Sequence, residues 1–329
     1  MITFEAIEEF EPGPRWAALF ERHWPRYRAW FLHEGESART SYAASLQALQ
    51  EHMPELVPTF ERVCALAGGG DLEARFLAMW APPSYLSGCS QAVWSGGQAP
   101  VLARNYDYAP ERLEGTILHT RWVRPVIGSG DCAWGLLDGL NDAGLAVSLA
   151  FGGRKVVGGG FGVPLVVRYL LETCERTGQA RETLRRLPYH LAHTLTIVDA
   201  EGDVCTAFIS PDRDVVLTGA VLATNHQGRV EWHEHARATR SVERERELER
   251  LVRESATAEP FVDGFLQPPL FSVDDERRLG TLYTVAYHVR EARAEYRWPE
   301  GTWEQRFGAF TEGVRVVELA RGEETLAAG

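Results

Sequence analysis

The sequence lacks the features that would place it in several large classes. No apolar run in its 329 residues approaches the length of a membrane span. No basic block stands out and the formal net charge is −12, so nothing marks a nucleic-acid partner. An acidic balance of this kind serves solubility more often than it marks a partner. The opening Met-Ile-Thr-Phe-Glu-Ala-Ile-Glu-Glu is acidic and has no basic flank before an apolar run, so it does not read as a signal peptide. Cysteine is scarce: Cys64, Cys89, Cys132, Cys174 and Cys205, with no C-x-x-C spacing. An odd number at such spacings argues against a disulfide framework or a zinc knuckle and predicts reduced thiols in a cytoplasm. Beyond its glycine runs the chain has no low-complexity tract and no repeat.

What is present centres on Gly88 to Asp107. Ala92 to Trp94 and Val101 to Ala103 flank the turn Ser95-Gly96-Gly97-Gln98, which predicts a β-hairpin. Cys89 stands at the start of its first strand, and Arg104 and Asp107 stand at the end of its second. The two open ends of a hairpin meet, so a thiol, a guanidinium and a carboxylate are expected together. A cysteine nucleophile needs such a set: a cation to stabilise thiolate and an acid to orient its partners.

Upstream, residues 13 to 80 read as helices. Trp16, Leu19, Phe20, Trp24 and Tyr27 recur at helical spacing, and Gly68-Gly69-Gly70 stops a helix that ends near Ala67. Asp71 reads as the N-cap of the next helix. Residues 1–88 are therefore expected to form a helical segment, and 89–329 the main domain. Downstream the pattern turns to strands: Gly115 to Val123, Cys132 to Leu137, and Leu145 to Phe151 after a turn. Two helices follow, from Pro164 to Thr177 and from Ala180 to Leu187. His193 to Val198 and Val204 to Ser210 form a hairpin, and Val215 to Leu217 and Ala220 to Thr224 continue its sheet to Asn225. His235 to Arg253 reads as a charged, solvated helix, and Ala256 to Asp275 as a proline-bearing loop. Thr281 to Val289, Glu291 to Trp298 and Phe307 to Phe310 close the sheet region. Hairpins with helices in blocks predict an α+β fold, its sheets covered by helices.

Four short stretches, taken in order, resemble one family. They are Gly88-Cys89, Arg104-Asn105-Tyr106-Asp107, Thr224-Asn225-His226 and Arg278-x-x-Thr281-Leu282-Tyr283. The family is that of acyl-coenzyme A:6-aminopenicillanic acid acyltransferase, autoproteolytic N-terminal-nucleophile (Ntn) hydrolases related to choloylglycine hydrolases and penicillin V acylases. The resemblance also takes in Pro54 to Asp71, Asn141 to Val147 and Gly162 to Thr177. It implies a four-layer αββα sandwich of antiparallel sheets and a precursor that cuts itself between Gly88 and Cys89. It implies that Asp107 orients the freed amine and thiol, and that Arg104 and Arg278 favour thiolate and brace Asp107. It implies too that the Asn225 amide donates to the oxyanion. The expected substrate is a small acyl amide or acyl thioester, with no resident cofactor or metal; an acyl-coenzyme A co-substrate is compatible with the family. Two departures stand out: Ser90 follows Cys89 where threonine is usual, and Ser148-Leu149-Ala150-Phe151-Gly152 lacks the relatives' asparagine.

Other readings of the same residues remain open at this point. The fold could serve as an unprocessed, non-catalytic binding protein. His226 could act as the base of an uncut Cys-His hydrolase. His233-x-His235 on a strand could hold zinc, although no third ligand is placed by any motif. Gly158-Gly159-Gly160-Phe161-Gly162 lacks a phosphate-loop lysine and reads as a mobile lid or substrate loop. Cys64, Cys132, Cys174 and Cys205 sit in apolar patterns and read as core. Residues 1 to 88 carry aromatic-rich helices whose release would uncover a large apolar face, so they are expected to stay bound after a cut. A homo-oligomer is equally compatible with the sequence.

Overall fold

The computed structural model describes residues 1–97, 99–273 and 280–319. The chain opens with a strand, β1 (Ile2–Glu8), then α1 (Pro14–Phe31), α2 (Tyr42–His52), α3 (Val57–Leu66) and α4 (Asp71–Leu77). The hairpin β2 (Gly88–Trp94) and β3 (Val101–Tyr108) follows. A meander comes next: β4 (Thr116–Thr120), β5 (Val126–Asp131), β6 (Gly135–Asn141) and β7 (Ala146–Phe151). Helices α5 (Val163–Thr173) and α6 (Thr177–Arg186) lead to β8 (His193–Val198), β9 (Val204–Ser210), β10 (Arg213–Thr218) and β11 (Leu222–Ala223). Helices α7 (His233–Ala238), α8 (Ser241–Glu254) and α9 (Ala258–Gly264) precede β12 (Gly280–His288), β13 (Arg293–Trp298), β14 (Gly301–Arg306) and β15 (Gly313–Val317).

The strands form two sheets. Nine strands run β10-β9-β8-β7-β6-β5-β4-β1-β15, and six run β11-β2-β3-β12-β13-β14. Among the described residues every strand pairing is antiparallel except β1 with β4. The sheets face each other through β2 and β3 against β6, β7 and β8. Gln91 of β2 reaches across to Thr196 (2.9 Å) and accepts from Ser148 (2.8 Å). Helices α5 and α6 cover the outside of the large sheet, and α8 and α9 the outside of the small one. The order is therefore α-β-β-α, as expected for the α+β sandwich. Alternation makes the two faces of β2 distinct. Cys89 and Val93 join the main core, whereas Ala92 and Trp94 join a second cluster with Leu248, Leu251, Phe261 and Phe265 beneath α8 and α9.

Several expectations are corrected. Residues 1–88 are not all helical: β1 lies in the large sheet, between β4 and the edge strand β15. Its alternation is present (Ile2, Phe4 and Ala6 are buried), but both partners lie far along the chain. Gly70 is the N-cap and Asp71 the first helical residue of α4. β5 runs through Gly128, where a side chain would meet the Asp138 carbonyl at 2.5 Å. Close packing in mid-sheet thus demands a residue that weakens the sequence signal for a strand. Cys132 and Ala133 are not in a strand but in the β5–β6 turn, both at positive φ (54° and 69°). β11 leaves the sheet of β8 to β10 and pairs with β2 instead. The proline-bearing loop contains α9, and β14 precedes residues 307–310, which themselves turn.

The N-terminal helices are fastened by their aromatic residues. Trp16 stacks on Phe20 (5.4 Å) and Phe20 on Trp24 (5.2 Å), with Phe76 of α4 against Trp24 and Tyr27. Trp16 donates to the Ala133 carbonyl (3.0 Å), and Trp134 donates to the Leu77 carbonyl (2.8 Å). No helix among the described residues is long and apolar enough to cross a membrane.

Candidate active site

The hairpin register sets Cys89 opposite Tyr106 and Gly88 opposite Asp107. Cys89 is fully buried. Arg104, two residues along β3 from Tyr106, turns to the same inner face and donates from Nη2 to the Cys89 sulfur at 3.3 Å. A guanidinium at this distance stabilises negative charge developing on sulfur. Arg104 is itself held by Asp138 of β6 and by the Tyr283 hydroxyl (3.1 Å), and its guanidinium lies 4.9 Å from the Tyr106 ring centre. Burial works to lower the Arg104 pKa, but Cys89, Tyr283 and Asp138 outweigh it and raise it well above its ordinary value. Asp138 also accepts from Ser129 (2.6 Å), Tyr283 (2.7 Å) and Tyr287 (2.5 Å), so its lone pairs are well used.

Asn225 follows β11 and holds the chain on both sides of Gly88. Its Oδ1 accepts the backbone N–H of Cys89 (3.0 Å), and its Nδ2 donates to the carbonyls of Ser87 (3.2 Å) and Phe151 (3.2 Å). The Ser87 hydroxyl lies 3.7 Å from the Cys89 sulfur. The expected donor to an oxyanion thus faces the carbonyl one residue before Gly88. Phe151, in the stretch that lacks the relatives' asparagine, supplies a backbone acceptor here.

Asp107 does not meet the thiol. It falls on the other face of the hairpin, where its carboxylate accepts from Arg244 of α8 (3.0 Å) and from Thr281 (2.7 Å). The sequence expectation is corrected here: the hairpin joins thiol and guanidinium, while strand alternation turns the carboxylate outward. Arg104 is braced by Asp138, and Asp107 by Arg244. Burial pushes the Asp107 carboxyl up, and Arg244 and Thr281 act against that. The same neighbour favours glycine at position 88, because a Cβ there would lie 3.0 Å from the Asp107 Cβ, a tight contact. Arg278 lies outside the described residues.

Two buried charges went unnoticed in the sequence. Arg244 sat in a helix read as solvated, yet Ser241, Arg244, Leu248 and Leu251 are buried on one stripe. That i, i+3, i+7, i+10 spacing was available to find it. Asp138 is a lone acid within Leu136-Leu137-Asp138-Gly139-Leu140, and an acid in a fully buried strand needs a partner. His226, the alternative base, instead faces Ser241 (2.8 Å) and Glu245 (3.2 Å). His233 and His235 sit on α7, a helix and not a strand. The glycine run is threaded between two segments rather than lying free: Ala81 donates to the Gly160 carbonyl (2.8 Å), and Gly158 to that of His190 (3.0 Å).

A cavity of about 350 Å³ opens beside Tyr106. Tyr27 and Trp30 of α1, Tyr85 from before Gly88, Tyr106 and Tyr108 of β3, and Asp131 and Cys132 wall it, with Arg26 and Arg112 also in its lining. Burial, with Glu114 nearby, pushes the Asp131 carboxyl up to about 6. Burial and Asp131 push the Cys132 thiol well above its ordinary value, so this cysteine faces the cavity as a poor nucleophile. The Tyr85 hydroxyl is buried there without a hydrogen-bond partner among the described residues. A second space of about 70 Å³ lies on the outer face against Gly88, Asp107 and Arg244.

An αββα sandwich with a cysteine at the start of an inner strand, cation against sulfur, defines the class: an Ntn-hydrolase fold. The family follows from the sequence itself. The family model for acyl-coenzyme A:6-aminopenicillanic acid acyl-transferase matches residues 94–303, well over half of the chain, and the chain belongs to that family. The matched span begins just after Cys89 and includes Arg104, Asp107, Asn225, Arg244 and Arg278. None of the curated proteins compared matches the chain. Among solved structures, a mutant of conjugated bile acid hydrolase from Clostridium perfringens is 11% identical (TM-score 0.48), covering 73% of this chain and 99% of its own. Penicillin V acylase from Agrobacterium tumefaciens is 13% identical (TM-score 0.47), covering 69% and 90%. The Caenorhabditis elegans ortholog of N-acylethanolamine-hydrolyzing acid amidase is 14% identical (TM-score 0.47), covering 70% and 100%. Likenesses this distant lend nothing to the choice of substrate.

Proposed function

We propose that this chain cuts itself between Gly88 and Cys89 and then works as a cysteine Ntn amidohydrolase or acyltransferase. One observation carries the reading: Asn225 holds the amide N–H of Cys89 while Arg104 holds its sulfur. In the cut, the sulfur attacks the Gly88 carbonyl carbon, the C–N bond breaks, and the thiol proton ends on the departing Cys89 nitrogen. Water then attacks the thioester, releasing Gly88 as a carboxylic acid and restoring the thiol. The freed α-amine, with an ordinary pKa of about 7.7–8.0, serves as base to its own thiol. A substrate's acyl carbon is attacked in the same way, its amine or thiol leaves, and water or an amine takes the acyl group from Cys89.

The residues keep distinct parts in this scheme. Arg104, fixed by Asp138, stabilises thiolate, and Asn225 binds the amine through Oδ1 and offers Nδ2 as a donor. Asp107 and Arg244 form the outer ion pair beside the cut, and Arg278 is proposed as a further cation. The sealing of Cys89 in the uncut chain supports an order of events in which the end of the first segment, Ser84 to Gly88, must move before substrate enters. The cavity is lined by four tyrosines, Trp30, two arginines, Asp131 and Cys132 among others, which favours a compact polar or aromatic acyl group over a long alkyl chain. Because α1 walls the cavity and β1 sits inside the large sheet, the N-terminal piece is proposed to remain bound. The turning of His226 to Ser241 and Glu245 speaks against a Cys-His base.

The test is mass spectrometry of the purified protein mixed briefly with N-acyl amides and acyl thioesters, then quenched in acid. An acyl adduct on Cys89 of a fragment that begins at that residue is the expected result. Turnover by a chain whose Gly88–Cys89 bond is intact would sink the scheme.

A further inference from the structure

Arg244, which the sequence did not single out, makes four side-chain hydrogen bonds at the site, as many as Asn225 does. It is 2% exposed. Its Nε donates to the Thr239 carbonyl (2.7 Å), its Nη1 to Ser90 Oγ (2.8 Å) and Asp107 Oδ2 (3.0 Å), and its Nη2 to Asn225 Oδ1 (2.6 Å). A guanidinium has only donors, so it accepts one end of the Asn225 amide and rejects the other. The bond to Nη2 therefore turns Oδ1 toward Cys89 and Nδ2 toward the Ser87 and Phe151 carbonyls. The remaining bonds fix Asp107 beside Gly88 and Ser90 next to Cys89, so one side chain touches the neighbours of the cut on both sides.

Resting on the proposed function, we propose that Arg244 is a positioning residue with two tasks. It sets the orientation of Asn225 for the cut, and its charge then keeps the freed Cys89 amine neutral and able to act as base. The amine will sit where Oδ1 now accepts the Cys89 N–H, and Oδ1 is shared with the guanidinium. A like charge that close disfavours protonation of the amine. The other charged or titratable groups around it are the Cys89 thiol, Arg104 on that sulfur with Asp138 and Tyr283 behind it, Tyr85 and Tyr106 close to Cys89, and Asp107 on the far side of Arg244. Arg104 is already neutralised by Asp138. Asp107 opposes Arg244, so removing the arginine leaves an unbalanced carboxylate and moves the amine further toward its protonated form.

Full-length Arg244→Lys and Arg244→Gln chains separate the tasks. Lysine keeps the charge and loses the planar fork; glutamine loses the charge. Lysine is expected to slow the cut roughly tenfold, and glutamine more, with both folded by circular dichroism. In the processed fraction, the acid limb of the activity-against-pH curve should stay near wild type for lysine and rise by about one pH unit for glutamine. Asp107→Asn, which leaves Arg244 unbalanced, should move the same limb down. The proposal is overturned if both Arg244 variants cut at the wild-type rate, or if all variants lose rate with no movement of the limb. A folded Arg244→Gln chain that stays whole while the lysine form is cut supports the orienting task. A wild-type chain that is never cut sinks the proposed function instead, so the two failures are distinguishable.

Discussion

Replacing Asp138 by asparagine is the sharpest test of how the sulfur's cation is held. The carboxylate is fully buried and takes Arg104, Tyr283 (2.7 Å), Tyr287 (2.5 Å) and Ser129 (2.6 Å) as donors. Asparagine keeps the shape but brings an N–H₂ into a place where donors already converge. Arg104 is then a buried cation with no counter-ion. Breaking a buried pair from one side costs about 3–5 kcal/mol. For a chain of this length that lowers the melting temperature by roughly 4–7 °C. Thermal unfolding should be followed by circular dichroism in a Cys89→Ala background, so that every molecule is uncut. The paired change Arg104→Met with Asp138→Leu should cost less than the two single changes added together, because no lone charge remains. An asparagine variant within about 0.5 kcal/mol of its parent, the ordinary range for a surface change, would refute the reasoning.

Two more predictions follow from the same geometry. Asn225→Ala removes the acceptor of the Cys89 N–H and the donor to the Ser87 carbonyl, and processing and turnover should each fall by about 10²–10³, read on gels and by initial rates. Asp131→Asn tests a pH dependence. Its folded carboxyl is raised from an ordinary 3.8 to about 6, so its contribution to stability is complete below about pH 4 and is lost as pH rises through 6. In the Cys89→Ala background the asparagine form should match its parent near pH 4 and exceed it near pH 7, by up to about 3 kcal/mol less whatever screening the cavity water provides. A difference that stays constant from pH 4 to 7 in denaturant titrations would contradict the raised value.

Local patterns in the sequence carried much of this architecture. The β2–β3 hairpin was legible because apolar runs flank a glycine turn, and β8 and β9 because their alternation is uninterrupted. β1 alternates too, but a lone strand at a chain start has no local partner to betray it. β5 was hidden by Gly128, which packing requires and propensity disfavours. In the site, the nearness of Cys89 and Arg104 could be read from the hairpin. The facing of Asp107 could not, because the reading followed chain distance and not strand alternation. Asp138 and Arg244 were missed for a related reason: each charge is paired across layers, with a residue 34 or 137 positions away in the chain. Each nonetheless left a trace, an ionised residue on a stripe that is otherwise buried.

The central claim is that Cys89 becomes an N-terminal residue, and intact mass tests it most directly. Wild-type protein and the Cys89→Ala variant should be purified in parallel and weighed. The account predicts two masses for the wild type, residues 1–88 and 89–329, travelling together in gel filtration, and a single full-length mass for the variant. A wild-type chain that stays whole yet turns over acyl amides would contradict it, as would a variant that is cut at the same bond.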